Sequence, residues 1–152
     1  MGTVAMKTVK LDTSIGKCAI LIGERLENLK QYLPANPPII ITDTNVQKYW
    51  GHLFPPGAVF TIDTGEGIKT LETVSSLYDK LLELDADRKS FVVGIGGGIV
   101  CDIAGFVAST YMRGTPFGFV SSTLLSQVDA SVGGKTAVDL PQGKNLVGAF
   151  KQ

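Results

Sequence analysis

One stretch constrains the fold more than any other: FVVGIGGGIVCDIAGFVASTYMRGTPFGF, Phe91 to Phe119. An apolar run ends in three consecutive glycines, and the chain passes at once into a helix-like pattern from Val100 to Tyr111. A run as apolar as FVVGI suits a central parallel strand, buried on both faces. Gly96, Gly97 and Gly98 then fall where the strand meets a helix. Glycine permits positive φ and lets a ligand approach the main chain closely. The amides that open a helix carry partial positive charge, so such a turn can cradle an anion, most naturally a pyrophosphate. A plain tight turn accounts for the glycines equally well on their own. Ile99 also breaks the standard three-glycine dinucleotide spacing. Asp102 reads as a first-turn carboxylate, where capping explains it as readily as chemistry does.

The flanking sequence repeats the strand-then-helix rhythm. Lys7 to Ile22 reads as two extended segments about Ile15-Gly16-Lys17, with CAILIG as a buried strand. Glu24 to Leu33 reads as a helix ending before Pro34, PPIIITD as a strand, Thr44 to Phe54 as a helix and AVFTID as a strand. Ile68, Leu71, Val74, Leu77, Tyr78, Leu81 and Leu82 recur at helical spacing, opposite Lys69, Glu72, Asp79 and Lys80. FGFVSS is a further strand and Thr123 to Ser131 a short helix. This alternation predicts an α/β fold: a doubly wound, mainly parallel sheet with helices on both faces. The last residues, 148–152, follow a glycine-rich polar stretch and read as a chain cut at a domain boundary.

A length of 152 residues suits one domain with a real core. Fourteen basic residues balance 14 acidic ones for a formal net charge of +0, so no global field recruits nucleic acid or a membrane surface. No apolar run approaches the roughly 20 residues of a membrane span, and the opening MGTVAMKTVK lacks the apolar segment of a secretory signal. Cys18 and Cys101 are the only cysteines, which points to a reducing, cytoplasmic setting. His52 is the only histidine, so no multi-imidazole metal site exists within this sequence; it reads as a surface residue. Cys101 reads as small and buried, not nucleophilic. The search is therefore for a small-molecule site.

Two motifs, GGGIVCDIAGFVASTYMRG (Gly96 to Gly114) and SSTLLSQVDASVGGKTAVDLPQGKNLVGAF (Ser121 to Phe150), resemble the 3-dehydroquinate synthase family of sugar-phosphate cyclases. The resemblance covers most of the chain and is densest from Gly94 onward. It implies a Rossmann-like N-terminal nucleotide-binding domain over residues 1–152. A mostly helical C-terminal domain would carry the metal ligands and lie outside this chain. The implied reaction converts 3-deoxy-D-arabino-heptulosonate 7-phosphate to 3-dehydroquinate and phosphate in the shikimate pathway. NAD accepts a hydride and later returns it, and a divalent metal, zinc or cobalt, polarises the hydroxyl that is oxidised. A homodimer is implied for the full-length enzyme.

The resemblance also distributes roles. Asp43 and Asn45 take the adenosine side, although DTN equally fits a helix N-cap. Glu66 and Lys69, in TGEGIKT, lie beside the nucleotide ribose; without the resemblance they are a solvated pair at a helix start. Gly97 and Gly98 meet the pyrophosphate, and Asp102 lies near the nicotinamide. Ser122 and Thr123 contact the cofactor, with Ser121 where the family usually has proline and Cys101 where it has glycine. Asp129, Lys135, Lys144 and Asn145 form the polar set for substrate, the two lysines also touching the cofactor side. Arg113 reaches the phosphate of the neighbouring subunit's substrate through its rigid multi-donor fork. The alternatives are a cyclase for another sugar phosphate, a metal-dependent glycerol or alcohol dehydrogenase, and a nucleotide-binding module with no activity of its own.

Overall fold

The structure, a computed structural model, describes residues 5–14 and 16–152. Ile15, which the sequence places between the first two extended segments, lies outside the described residues. At the centre is a four-stranded parallel sheet in the order β4-β3-β5-β6, made of β3 (Ile39–Asp43), β4 (Ala58–Ile62), β5 (Val92–Gly96) and β6 (Phe117–Ser121). Between them run α1 (Thr44–Trp50), α2 (Leu71–Glu83) and α3 (Gly98–Thr110).

Two-residue alternation assigns each strand residue to a side. Ile39, Ile41, Phe60, Ile62 and Val92 face a large cluster with Val74, Leu77 and Leu81 of α2 and Ile103, Phe106 and Val107 of α3. Ile40, Val93 and Ile95 face the other way, toward Val46 of α1, Phe54, and Leu26, Leu29 and Leu33 of the 3-10 segment Leu26–Tyr32. Helical elements therefore cover both faces, and β5 is buried at every position, as its composition requires. The one buried polar side chain of β3, Thr42, donates to the Ile95 carbonyl at 2.7 Å. Burying a hydroxyl without a partner would cost free energy.

Two hairpins flank the sheet: β1 (Lys7–Thr13) with β2 (Gly16–Ile22), and β7 (Lys135–Leu140) with β8 (Gly143–Phe150), both antiparallel. Several expectations change. CAILIG is a strand but not a buried one, because Ile22 is 50% exposed and the pair belongs to a separate two-stranded sheet. Residues Glu24 to Leu33 give a 3-10 segment instead of an α-helix. The helix at Thr44 stops at Trp50 and ends in a 3-10 turn. Ile68 sits in a separate 3-10 turn, and α2 starts only after Thr70, whose hydroxyl accepts from the Thr73 amide at 3.2 Å as its N-cap. The polar, glycine-rich C-terminal stretch is the β7–β8 hairpin, packed against α3.

Candidate functional site

In the order β4-β3-β5-β6, the chain leaves β3 for β4 on one side and returns to β5 on the other. The crevice between the carboxyl ends of β3 and β5 is a topological switch point, where open α/β sheets bind ligands. A cavity of about 210 Å³ lies there, lined by Asp43 at the end of β3, Asp63, Thr64 and Gly65 after β4, Gly97 to Val100 at the start of α3, and Thr123 after β6. Every wall of the cavity lies at, or just beyond, the carboxyl end of a parallel strand.

Each wall has a local cause. Asp43 caps α1, one carboxylate oxygen accepting from the amides of Asn45 and Val46 at 2.9 Å each. Its second oxygen takes no part in the cap, so capping and ligand contact are compatible in one side chain. Gly97 is the N-cap residue of α3, and the first amide bonded back into the helix is that of Cys101, to the Gly97 carbonyl at 3.0 Å. The amides before it have no acceptor within the helix, and they border the cavity. Thr123 is locked by a reciprocal arrangement with Ser126: each backbone amide donates to the other's hydroxyl, at 3.2 and 3.3 Å.

The glycine turn works by clearance. Gly97 has φ of −82°, and neither it nor Gly98 lies in the left-handed region, so positive φ is not the reason for the run. A Cβ at Gly97 would stand 3.2 Å from the Thr123 methyl, and one at Gly96 would stand 2.6 Å from Val100. Gly65, which the sequence does not single out, does have positive φ, at +98°.

Asp102 lies in the second turn of α3, not the first, so dipole capping does not explain it. Lys69 does. Its Nζ lies 2.5 Å from an Asp102 carboxylate oxygen and 2.5 Å from the Asn145 side-chain oxygen. Lys69 is 4% exposed, which overturns the solvated-face reading of GEGIK. Burial is the strongest influence on Asp102 and pushes its carboxyl above the ordinary aspartate range, while the Lys69 ammonium pulls it back down. Two side chains, 33 and 76 residues further along the chain, thus converge on the Lys69 charge.

The remaining candidates are more dispersed. Lys144 reaches Glu66 at 3.4 Å, with its own side chain 70% exposed. Glu66 borders a second cavity together with Thr70, Glu72 and Asp139. Asn45, Ser122, Asp129, Lys135 and Arg113 are exposed and line neither cavity. The Ser122 amide extends the pairing of β6 onto the Gly96 carbonyl at 2.9 Å. Arg113 has φ of +72° in a turn with Met112 at +48° and Gly114 at +120°. His52 is exposed. Cys101 is fully buried, and burial pushes its thiol up to about 12, as suits a packing residue. Among the described residues, no group of three or more His, Cys, Asp or Glu could hold a metal ion, and no helix is long and apolar enough to cross a membrane.

Residues 59–152 match the family described as 3-dehydroquinate synthase N-terminal. The chain belongs to the 3-dehydroquinate synthase family. It is 45% identical over 137 residues to the 3-dehydroquinate synthase of Clostridium kluyveri, covering 85% of this chain and 37% of the relative. Against that of Symbiobacterium thermophilum it is 48% identical over 133 residues, covering 82% and 37%. The chain therefore spans a little over a third of these 3-dehydroquinate synthases. Solved structures that share its fold include two at 28–30% identity. One is the 2-epi-5-epi-valiolone synthase ValA from Streptomyces hygroscopicus with NAD⁺ and Zn²⁺ bound: TM-score 0.77, 30% identity, covering 83% of this chain and 38% of that one. The other is a 2-deoxy-scyllo-inosose synthase complexed with carbaglucose-6-phosphate, NAD⁺ and Co²⁺: TM-score 0.75, 28% identity, covering 97% and 42%. A probable glycerol dehydrogenase from Sinorhizobium meliloti, at 16% identity and TM-score 0.63 over 83% and 34%, shares the fold alone.

Proposed function

We propose that this chain is the N-terminal, NAD-binding part of a 3-dehydroquinate synthase, which converts 3-deoxy-D-arabino-heptulosonate 7-phosphate to 3-dehydroquinate and phosphate. The observation that carries this reading is the switch-point cavity, where Asp43 and the opening amides of α3 face one another in a chain of this family. NAD, when bound, supplies a reversible hydride acceptor for one ring carbon of the sugar.

The chain's own residues bind and orient. The free oxygen of Asp43 accepts from ribose hydroxyls, with Asn45, Glu66, Ser122 and Thr123 as further cofactor contacts. The amides at Gly97 and Gly98 hold the diphosphate. Lys69 lies beside the ribose, its charge paired with Asp102, which lies toward the nicotinamide. Lys135 and Lys144 neutralise the carboxylate and phosphate of the substrate, Asp129 and Asn145 bond its hydroxyls, and Arg113 reaches phosphate across a homodimer. The cavity, about 210 Å³, is smaller than the ~300–1,000 Å³ of whole ligand sites, which fits one wall of a cleft completed by residues outside this chain. Those residues would also supply the zinc or cobalt ligands, and the enzyme would be cytoplasmic.

A second reading, a cyclase for a different sugar phosphate, is favoured by the two solved structures, a valiolone and an inosose synthase. Product analysis of the complete polypeptide separates the readings. A 3-dehydroquinate synthase releases phosphate and 3-dehydroquinate from the heptulosonate with no net NADH. Turnover of a different sugar phosphate alone supports the second reading, and accumulating NADH excludes both.

A further inference from the structure

Asn145, which meets the Lys69 ammonium, has an uncommon backbone conformation. Its φ is +56°, a left-handed conformation that asparagine tolerates better than most residues but that still requires support. The support comes from Asp139. The Asp139 carboxylate accepts from the Asn145 amide at 2.7 Å, and the Asp139 amide donates to the Lys69 carbonyl at 2.8 Å. The register of the β7–β8 pair shifts between Val138 and Leu140, so Asp139 sits at a bulge. Bulges re-aim a side chain out of the strand alternation, here across the hairpin end toward residue 145.

Followed around, these contacts close a ring. The Lys69 carbonyl holds Asp139, Asp139 holds the backbone of Asn145, and the Asn145 side chain holds the Lys69 ammonium, which holds Asp102. Nothing in the family resemblance gives Asp139 a role. We propose that Asp139 is a positioning residue: by accepting one hydrogen bond it fixes Asn145 in its left-handed conformation, and so sets the amide oxygen that orients Lys69 toward the nucleotide cleft. The importance of this for function rests on the NAD reading above; the ring itself does not.

The position needs an acceptor, not a charge, and this separates the role from a general structural one. Two readouts on this chain test it. In Asp139→Ala, exchange of the Asn145 amide with solvent rises roughly tenfold, the upper end of the scale of one lost ordinary hydrogen bond, and NAD⁺ affinity falls severalfold. In Asp139→Asn, which keeps an acceptor oxygen and removes the charge, both return close to the parent values. In an Asn145→Gly background, Asp139→Ala has no further effect on affinity, because the amide oxygen through which Asp139 acts on Lys69 is already gone. Unchanged Asn145 exchange in Asp139→Ala overturns the proposal, as does an Asp139→Asn variant that behaves like Asp139→Ala. If the parent chain fails to bind NAD⁺ at millimolar concentration while the exchange pattern holds, the cofactor reading fails and the positioning role survives.

Discussion

Cys101 and Cys18 carry the same thiol in different surroundings. Cys101 is fully buried with its thiol pushed up to about 12, whereas Cys18 is half-buried beside the Gln152 side-chain amide, 3.0 Å away. A thiol reagent at pH 8 is therefore expected to modify Cys18 alone in the folded chain. Cys18→Ser should react only after denaturant is added, and native reactivity in that variant would contradict the burial of α3 against the sheet. Asp102 offers a second residue-level test. Its folded-state pKa is raised, chiefly by burial and further by the Glu66 and Asp139 carboxylates, against the pull of Lys69. The folded chain thus holds this proton more tightly than the unfolded one. Its stabilising contribution is complete below the ordinary aspartate value of ~3.9 and is lost as pH rises through the folded value. The stability of the parent relative to Asp102→Asn should grow as pH falls through that window, measured by denaturant unfolding. A difference that shrinks on acidification contradicts the assignment.

At the level of elements, α3 is pinned by close approaches that tolerate no side chain. A Cβ at Gly105 would lie 2.4 Å from the Thr136 methyl of β7 and 3.1 Å from the Phe119 ring of β6. Gly105→Ala gains up to ~1 kcal/mol of helix propensity but forces overpacking that costs typically about 1–3 kcal/mol. Net destabilisation is expected in thermal unfolding, relieved when Thr136→Ser removes the opposing methyl. Asp43 tests the junction of β3 and α1. Asp43→Asn retains the cap and Asp43→Ala loses it, at a cost of about 1 kcal/mol. Only the alanine variant should lower stability, while both weaken NAD⁺ binding if the carboxylate meets the ribose.

The same elements explain what the sequence reveals. β5 and α3 are legible because a strand buried on both faces and a glycine junction leave few alternatives, and α2 because its stripe has helical period. The glycine junction was legible in place but not in cause, since its conformation is ordinary and its requirement is space beside Thr123 and Val100. The β7–β8 hairpin was not legible. GGKTAVDLPQGKNLVGAF is polar and glycine-rich, and its pairing is set by contact with α3. The burial of Lys69 was equally hidden, because its partners Asp102 and Asn145 lie 33 and 76 residues away. No local pattern reports such a contact.

Over the whole molecule, large apolar side chains remain uncovered on the elements that border the candidate site. Leu124, Leu125 and Val128 are 75%, 65% and 66% exposed on the segment after β6, and Leu146 and Phe150 are 58% and 74% exposed on β8. Exposed apolar surface of this kind marks interaction sites, and the chain spans 37% of the 3-dehydroquinate synthases it matches. This chain alone is accordingly expected to bind NAD⁺ weakly and to give no turnover of the heptulosonate phosphate. Detectable phosphate release by the purified chain would contradict that expectation. The central claim is that the opening amides of α3, with Asp43, form the diphosphate and ribose wall of a dinucleotide cleft. A titration of NAD⁺ into the ¹⁵N-labelled chain, followed by amide chemical shifts, tests it most directly. The account predicts that the amides of Gly97, Gly98, Ile99 and Val100 move first and furthest, with those of Thr44 and Asn45 beside Asp43. Shifts confined to other surfaces, or none at millimolar NAD⁺, would contradict it.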